Sequence, residues 1–338
     1  MTTRVGILGL GSIGETHARV VTALSPRLEL VAYSCGDDRA AELAGRVPGR
    51  RESPEELLAD PDVDLVVITT PSNQHGEQAL AALAHGKGIV VEKPLATTAA
   101  RAEEVVAAWR ASGLFGAVIA QRRFEPQHVA IKRLLDAGEL GRPLVGEISV
   151  LWWRTPDYYR AASWRREPPG GGVLMNQALH SVDLLTWFLG EATEVAAIDG
   201  NLVHDMGAED TSIAAVRFAS GALGSIIAST ATRPGMPARL GVHTDRGSFE
   251  LDHAAITRWD FPGVGRPDAG TPTVSGAGDP SAIGDAGHRQ QWLDIADALE
   301  TGSEPGLTLA DGLPAVRLID AIYRSDATGR RQSVGDYA

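Results

Sequence analysis

Val5-Gly6-Ile7-Leu8-Gly9-Leu10-Gly11-Ser12-Ile13-Gly14 decides how the first third of this chain folds. An apolar strand, Val5–Leu8, runs directly into a G-x-G-x-x-G motif, and a helical pattern over Gly14–Leu24 follows. In that context the glycines turn the chain tightly and let a helix N-terminus approach a pyrophosphate, the arrangement of a dinucleotide site. A tight strand-to-helix turn without a ligand is the plainer alternative. Gly9, Gly11, Ser12, Ile13 and Gly14 are therefore candidate cofactor contacts. A carboxylate that reads the ribose is expected ~20 residues on, at the end of the second strand. There the chain reads Tyr33-Ser34-Cys35-Gly36-Asp37-Asp38-Arg39. The small Ser34 leaves room for a 2′-phosphate that Arg39 would pair with, while Asp37 is placed to bind a free 2′-hydroxyl. The sequence leaves NAD against NADP open, and the plainer alternatives are that Asp37 caps the following helix and Arg39 is a solvated surface residue.

Outward from this motif, apolar runs at Leu28–Tyr33, Leu65–Thr69, Ile89–Glu92 and Phe115–Ala120 alternate with helical patterns at Gln74–His85 and Ala99–Ala111. That order predicts a doubly wound parallel α/β sheet over residues 1–121. Beyond Gln121 the rhythm changes to a helix at Gln127–Ala137 and longer strands at Val145–Trp153, Thr193–Leu202, Thr211–Phe218 and Ala222–Thr230. A hairpin at Ala219-Ser220-Gly221 suggests a mainly antiparallel sheet in a second, α+β domain over residues 122–338. Gly263–Gly287, dense in Gly, Pro, Ser and Asp, reads as a surface loop or lid, or as a disordered connector.

A length of 338 residues suits about two domains. With 31 Lys+Arg against 43 Asp+Glu, the net charge of -12 argues against nucleic acid or an anionic membrane as partner. No apolar run reaches the length that spans a bilayer. The single cysteine, Cys35, excludes an internal disulfide framework or a cysteine-rich zinc site. With no leader ahead of the strand near Arg4, a cytoplasmic location is expected.

Three further stretches carry chemistry. Val90-Val91-Glu92-Lys93-Pro94 places two charges at the carboxyl end of a buried strand, where ligands of such sheets bind and where desolvation lowers an ammonium pKa. A surface ion pair is the alternative. Gly170-Gly171-Gly172 leads into a helix in which Asn176, His180 and Asp183, spaced i, i+4 and i+7, share one face opposite an apolar stripe. Such polar groups need partners, supplied either by a catalytic crevice or by a simple His180–Asp183 couple. No second ligand cluster supports a metal there. Finally, Arg122–Arg166 holds nine Lys or Arg against five Asp or Glu, with Trp152, Trp153, Tyr158, Tyr159 and Trp164 among them. This combination suits a sugar or base carrying phosphate or carboxylate, or else a packed sheet face with snorkelling arginines.

With the glycine motif, Glu92-Lys93-Pro94 and the turn leading to His180 in this order, the chain resembles the glucose-fructose oxidoreductase/inositol dehydrogenase/rhizopine-catabolism (Gfo/Idh/MocA) family over nearly its whole length. Thr70-Pro71-Ser72-Asn73-Gln74-His75 and Gly287-His288-Arg289-Gln290-Gln291 add to the resemblance. It implies an N-terminal Rossmann domain, a C-terminal domain on a large open sheet, hydride transfer between the two, and homodimers or homotetramers. Lys93 matches the family's catalytic lysine and His180 its catalytic histidine. Asn176 falls where many members have aspartate, which moves the chain away from the inositol dehydrogenase pattern. The Met175-Asn176-Gln177 run looks more like enzymes of nucleotide-linked amino sugars, although the Trp164–Gly170 spacer is short for them. The expected activity is NAD(P)-dependent oxidation of a secondary alcohol on a sugar or sugar derivative, with Lys93 and His180 handling the proton. Asn176, Arg123, Tyr159, Trp164, Arg165, Asp183 and His288 are expected to contact substrate; Thr70, Pro71, Asn73, His75, Glu92 and Lys93 should border the cofactor. The alternatives are an inositol or polyol dehydrogenase of the same family, and a sensor that binds the nucleotide without chemistry.

Overall fold

The apolar runs of the first third become six parallel strands: β1 (Thr3–Leu8), β2 (Leu28–Ser34), β3 (Arg50–Arg51), β4 (Leu65–Ile68), β5 (Gly88–Val91) and β6 (Gly116–Val118), in the order β3-β2-β1-β4-β5-β6. β4 and β5 are buried throughout, so they read as continuous apolar runs rather than as alternation. The crossovers are α1 (Ser12–Ala23), α2 (Asp37–Leu43), α3 (Pro54–Ala59), α4 (His75–Ala84) and α5 (Ala99–Ser112). Local chemistry sets their ends. A capping box of Ser53 and Glu56 opens α3, and Thr98 caps α5, which stops at Gly113 in the left-handed region. The structure, a computed structural model, describes residues 2–43, 45–268 and 284–335. No helix among them is long and apolar enough to cross a membrane.

The chain divides into two units, Met1–Gln121 with Gly287–Leu313, and Arg122–Ala286 with Pro314–Ala338. The second contains α6 (Pro126–Asp136), β7 (Pro143–Leu151), α7 (Pro156–Arg160), α8 (Leu179–Leu189), β8 (Ala192–Gly200), β9 (Thr211–Phe218), β10 (Leu223–Ser229), β11 (Arg239–Thr244), β12 (Ser248–Asp252) and β13 (Ala255–Asp260). Next, α9 (Ala286–Thr301) belongs to the first unit, and α10 (Leu313–Thr328) and β14 (Gln332–Ser333) complete the second. Its eight strands run β13-β12-β11-β7-β10-β9-β8-β14, antiparallel except for the β7–β10 pair. The expected hairpin joins β9 to β10, with Gly221 at φ +84 in its turn. Strands β11–β13 had no counterpart in the periodicity, since glycine at Gly241 and charges at Arg239 and Arg258 interrupt the apolar alternation.

Two expectations are corrected. Residues 122–338 do not form one unit, because Trp292, Ile295 and Ala296 of α9 share a core with Val5, Ile7 and Val90. An apolar helix face does not announce which of two cores it will join. The Gly263–Gly287 stretch gives way to helix at Ala286; its residues 269–283 lie outside those described.

The face count for Asn176, His180 and Asp183 also changes, because Val173–Ala178 is π-helical and only Leu179–Leu189 is α-helical. Glu209 holds the start of this segment: its carboxylate accepts the Leu174 N–H at 2.9 Å and the Tyr323 hydroxyl at 3.1 Å, and its carbonyl accepts the Val173 N–H. Gly172, at φ +84, is required here, since a Cβ would lie 2.2 Å from Glu209 Oε2. Burial, with Asp199 nearby, pushes the Glu209 carboxyl up to about 7 from 4.5. A raised folded-state value means that the native protein binds this proton more tightly than the unfolded chain. The contribution is then complete below the unfolded value and is lost as pH rises through about 7. Glu209→Gln should therefore gain stability relative to the parent between about pH 5 and pH 8, checked by denaturant unfolding of both across that range.

Candidate active site

The first unit builds its site at the carboxyl ends of β1, β4 and β5, beside the point where strand order reverses. Gly9 sits at φ +91, where a Cβ would lie 2.7 Å from the Thr70 amide nitrogen, and a Cβ on Gly14 would lie 2.3 Å from the Gly9 oxygen. Packing dictates both. A Cβ on Gly11 would meet nothing within 4 Å, so this glycine leaves open space at the first turn of α1. Two close-packed glycines around one open glycine fit a pyrophosphate laid across a helix N-terminus. Thr69 Oγ1 braces the turn by donating to the Gly9 and Leu8 carbonyls at 2.6 and 3.1 Å, and the Ser34 carbonyl accepts the Gly9 and Leu10 N–H groups. Ser12 is exposed and Ile13 half-buried on the same turn.

Arg39 is not free for a 2′-phosphate: it pairs with Glu15 and Glu42, both at 2.6 Å, and donates to the Leu10 carbonyl. Asp37 pairs with Arg51, whose guanidinium also reaches the Cys35 carbonyl. Ser34 is buried at the end of β2. Sequence spacing located these residues but not the carboxylates that neutralise Arg39.

Glu92 follows β5 and is 4 % exposed, so its charge must be met inside the fold. Oε1 accepts from His17 Nε2 at 3.0 Å, Oε2 accepts the Lys93 N–H at 2.9 Å, and His288 Nε2 lies 3.4 Å from Oε1. Despite burial, these contacts hold its carboxyl well below the usual range. Lys93 is half-buried, and desolvation lowers its ammonium from 10.5, with the Glu92 charge opposing the shift. His75, also buried, lies between the Pro94 and Thr70 carbonyls at 2.7 and 2.8 Å and ties the two loops together. Thr70 donates to Gln78, Pro71 is half-buried, and Asn73 is exposed on the short turn that follows.

His17, Glu92 and His288 are also the one cluster among the described residues with ligand atoms close enough for a metal ion. The donor set does not suit one. Trp292 Nε1 can only donate, and it does so to His17 Nδ1 at 2.8 Å, which leaves the ring proton on Nε2 facing Glu92. A neutral imidazole so engaged has no lone pair left for a cation. His288 was expected with the substrate residues, but it belongs to the first unit and is buried against His17.

In the second unit, Asn176 and His180 are half-buried, and Asn176 Nδ2 lies 3.3 Å from the Tyr158 hydroxyl. Gln177 donates to the same hydroxyl at 2.7 Å while its carbonyl accepts from Arg154. Arg165 stacks 4.2 Å over Tyr158 and 5.6 Å from Trp164, and Arg233 lies 3.9 Å over Trp153. Three expected substrate contacts are instead internal. Asp183 forms a bidentate pair with Arg123 at 2.6 and 2.9 Å, both buried, rather than a couple with His180. Tyr159 is buried with its hydroxyl on Thr230 at 2.6 Å. Breaking the Arg123–Asp183 pair from one side would strand a buried charge, a cost of about 3–5 kcal/mol.

The reading of the residues assigned no site role to His17, Trp292, Arg154 or Arg233, and quoted Gln177 only as part of the Met175-Asn176-Gln177 run. His17, three residues beyond Gly14, gave a spacing signal, but its partners come from β5 and α9 and are visible only in the fold.

Residues 3–119 match an oxidoreductase family described as an NAD-binding Rossmann fold, and residues 128–250 match the GFO/IDH/MocA C-terminal domain. The chain is 31% identical over 273 residues to inositol 2-dehydrogenase 2 of Mycolicibacterium vanbaalenii, covering 77% of this chain and 76% of that protein. It is 29% identical over 274 residues to scyllo-inositol 2-dehydrogenase (NAD(+)) of Bacillus subtilis, covering 75% and 76%. The crystal structure of the WlbA dehydrogenase from Bordetella pertussis in complex with NADH and UDP-GlcNAcA superimposes with a TM-score of 0.86 at 30% identity, over 98% of each chain. An NAD-binding Rossmann unit with its glycine cradle, joined to a C-terminal domain of matching type, places this chain in the GFO/IDH/MocA oxidoreductase family.

Proposed function

We propose that this oxidoreductase uses NAD to oxidise, reversibly, a secondary alcohol of an anionic sugar derivative. The observation that carries the reading is Lys93: a half-buried ammonium of lowered proton affinity, at the carboxyl end of β5 in the sheet that bears the glycine cradle. The chain has only three lysines, Lys87, Lys93 and Lys132, and meets its other needs for cations with arginine. An ammonium can give up its proton near neutral pH once desolvated; a guanidinium cannot. When bound, the nicotinamide supplies the hydride acceptor. Lys93 polarises the substrate oxygen and takes part in moving the hydroxyl proton, and in the second unit His180 is the candidate proton carrier and Asn176 the candidate partner of a substrate hydroxyl. The neutralisation of Arg39 by Glu15 and Glu42 supports NAD over NADP, since a 2′-phosphate would have to break those pairs.

Arg165 and Arg233, presented on aromatic faces, favour a substrate carrying carboxylate or phosphate, as UDP-GlcNAcA does in the WlbA complex. The inositol dehydrogenases among the relatives support a neutral polyol as the second reading. NADH formation with UDP-GlcNAcA and free uronic acids, set against myo- and scyllo-inositol, separates them, and a preference for the inositols would reject the anionic reading. Lys93→Met should lower turnover by about two orders of magnitude or more while changing NADH affinity less than about twofold. Steady-state rates and fluorescence titration check this, and an unimpaired Lys93→Met enzyme would overturn the role of Lys93 in moving the proton.

The outward face of the eight-stranded sheet supports self-association. Ile198, Ile213 and Ile227 are exposed and adjacent across β8, β9 and β10, with Leu223 and Val145 beside them. A homodimer or homotetramer that covers this face should fall apart when Ile213 is changed to Arg, read as a loss of mass in light scattering.

A further inference from the structure

We propose that His17 is a positioning residue for Lys93, its Nε2 proton keeping the buried Glu92 carboxylate ionised and fixed beside the Lys93 backbone. This rests on the proposed role of Lys93 in moving the substrate proton. The chain of contacts is short and directional. Trp292 Nε1 donates to His17 Nδ1 at 2.8 Å, His17 Nε2 donates to Glu92 Oε1 at 3.0 Å, and Glu92 Oε2 accepts the Lys93 N–H at 2.9 Å. His17 is wholly buried and Glu92 nearly so.

The indole does two things here. It selects the tautomer in which Nε2 faces the carboxylate, and by occupying Nδ1 it prevents the ring from taking a second proton. Burial lowers the proton affinity of His17 in the same sense. Glu92 thus keeps a negative charge that no His17 imidazolium cancels, and that charge raises the proton affinity of the Lys93 ammonium. Without the His17 donor, a carboxylate buried to this depth would take up a proton, and the Lys93 ammonium would lose the charge that supports it.

The other titratable groups facing this cluster are His288 on α9, 3.4 Å from Glu92 Oε1, and His75 on α4, whose proton affinity responds to both Glu92 and Lys93. His288 adds to the support of the Glu92 charge from farther away than His17. Both His288 ring nitrogens are buried without a hydrogen-bond partner among the described residues, and both His75 nitrogens face backbone carbonyls.

The three lysines of the chain make the test direct. Amine labelling of the intact protein across a pH series, read by mass spectrometry, reports the titration midpoint of Lys93. Lys132, paired with Asp136, and Lys87, bound to the Asp60 and Val63 carbonyls, serve as internal controls for folding. His17→Leu should move the Lys93 midpoint down by about one pH unit or more, and Glu92→Gln should do the same. His17→Gln, which restores an N–H near the Nε2 position, should return it toward the parent value. The double variant His17→Leu/Glu92→Gln should move it no further than Glu92→Gln alone. An unchanged midpoint in His17→Leu, or equal shifts in His17→Leu and His17→Gln, overturns the proposal. If His17→Leu does not fold, an unchanged midpoint in Glu92→Gln overturns it instead. Because labelling needs no substrate, a failure of the proposed activity is read separately, in the rate of Lys93→Met.

Discussion

A carboxylate buried at the end of a parallel strand is the constraint on which the first unit depends. Glu92 cannot keep its charge there unless donors converge on it, and they come from three places: its own chain at Lys93, His17 on α1 and, through His17, Trp292 on α9. One charge therefore ties the helix that follows the glycine cradle, the strand that presents Lys93 and a helix nearly 200 residues later in the chain. The same helix adds Ile295 and Ala296 to the apolar core under the sheet, so packing and polar satisfaction select the same arrangement.

The second unit solves a comparable problem in two places. Arg123 and Asp183 cancel inside it, anchoring α8 to the short turn before α6. Glu209 takes the first N–H groups of the π-helical segment, and its raised proton affinity shows how little solvent supports it there. The helical segment that carries Asn176 and His180 is thus held by polar groups at its start and its middle, while its apolar side contributes Leu185, Phe188 and Leu189 to the core beneath the sheet.

The charge pattern takes on a different meaning in three dimensions. The basic and aromatic segment Arg122–Arg166 is not a uniform positive patch, because Arg123 is neutralised internally and Arg154 is buried against Gln177, Trp152 and Tyr158. Against aromatic rings it presents Arg165 with Trp164 and Tyr158, joined by Arg233 over Trp153 from outside the segment, while Arg133, Arg142 and Arg160 are exposed. Guanidinium groups held over aromatic rings give up little side-chain freedom when they meet an anion, which suits recognition better than a larger but mobile charge would.

The parallel sheet, the glycine cradle and the position of Lys93 were legible in the sequence because each is local: a continuous apolar run, a fixed glycine spacing, a charge directly after a strand. The hairpin of β9 and β10 was legible for the same reason. Tertiary structure alone decided what depends on partners far apart in the chain. It gave α9 to the first unit, replaced an α-helical face at Asn176 with a π-helical turn, and turned Asp183, Arg123, Tyr159 and Arg39 from candidate ligand contacts into internally satisfied groups. Local pattern reports what a residue can do. Which of those capacities is spent inside the fold is set by long-range contacts that no window of sequence contains.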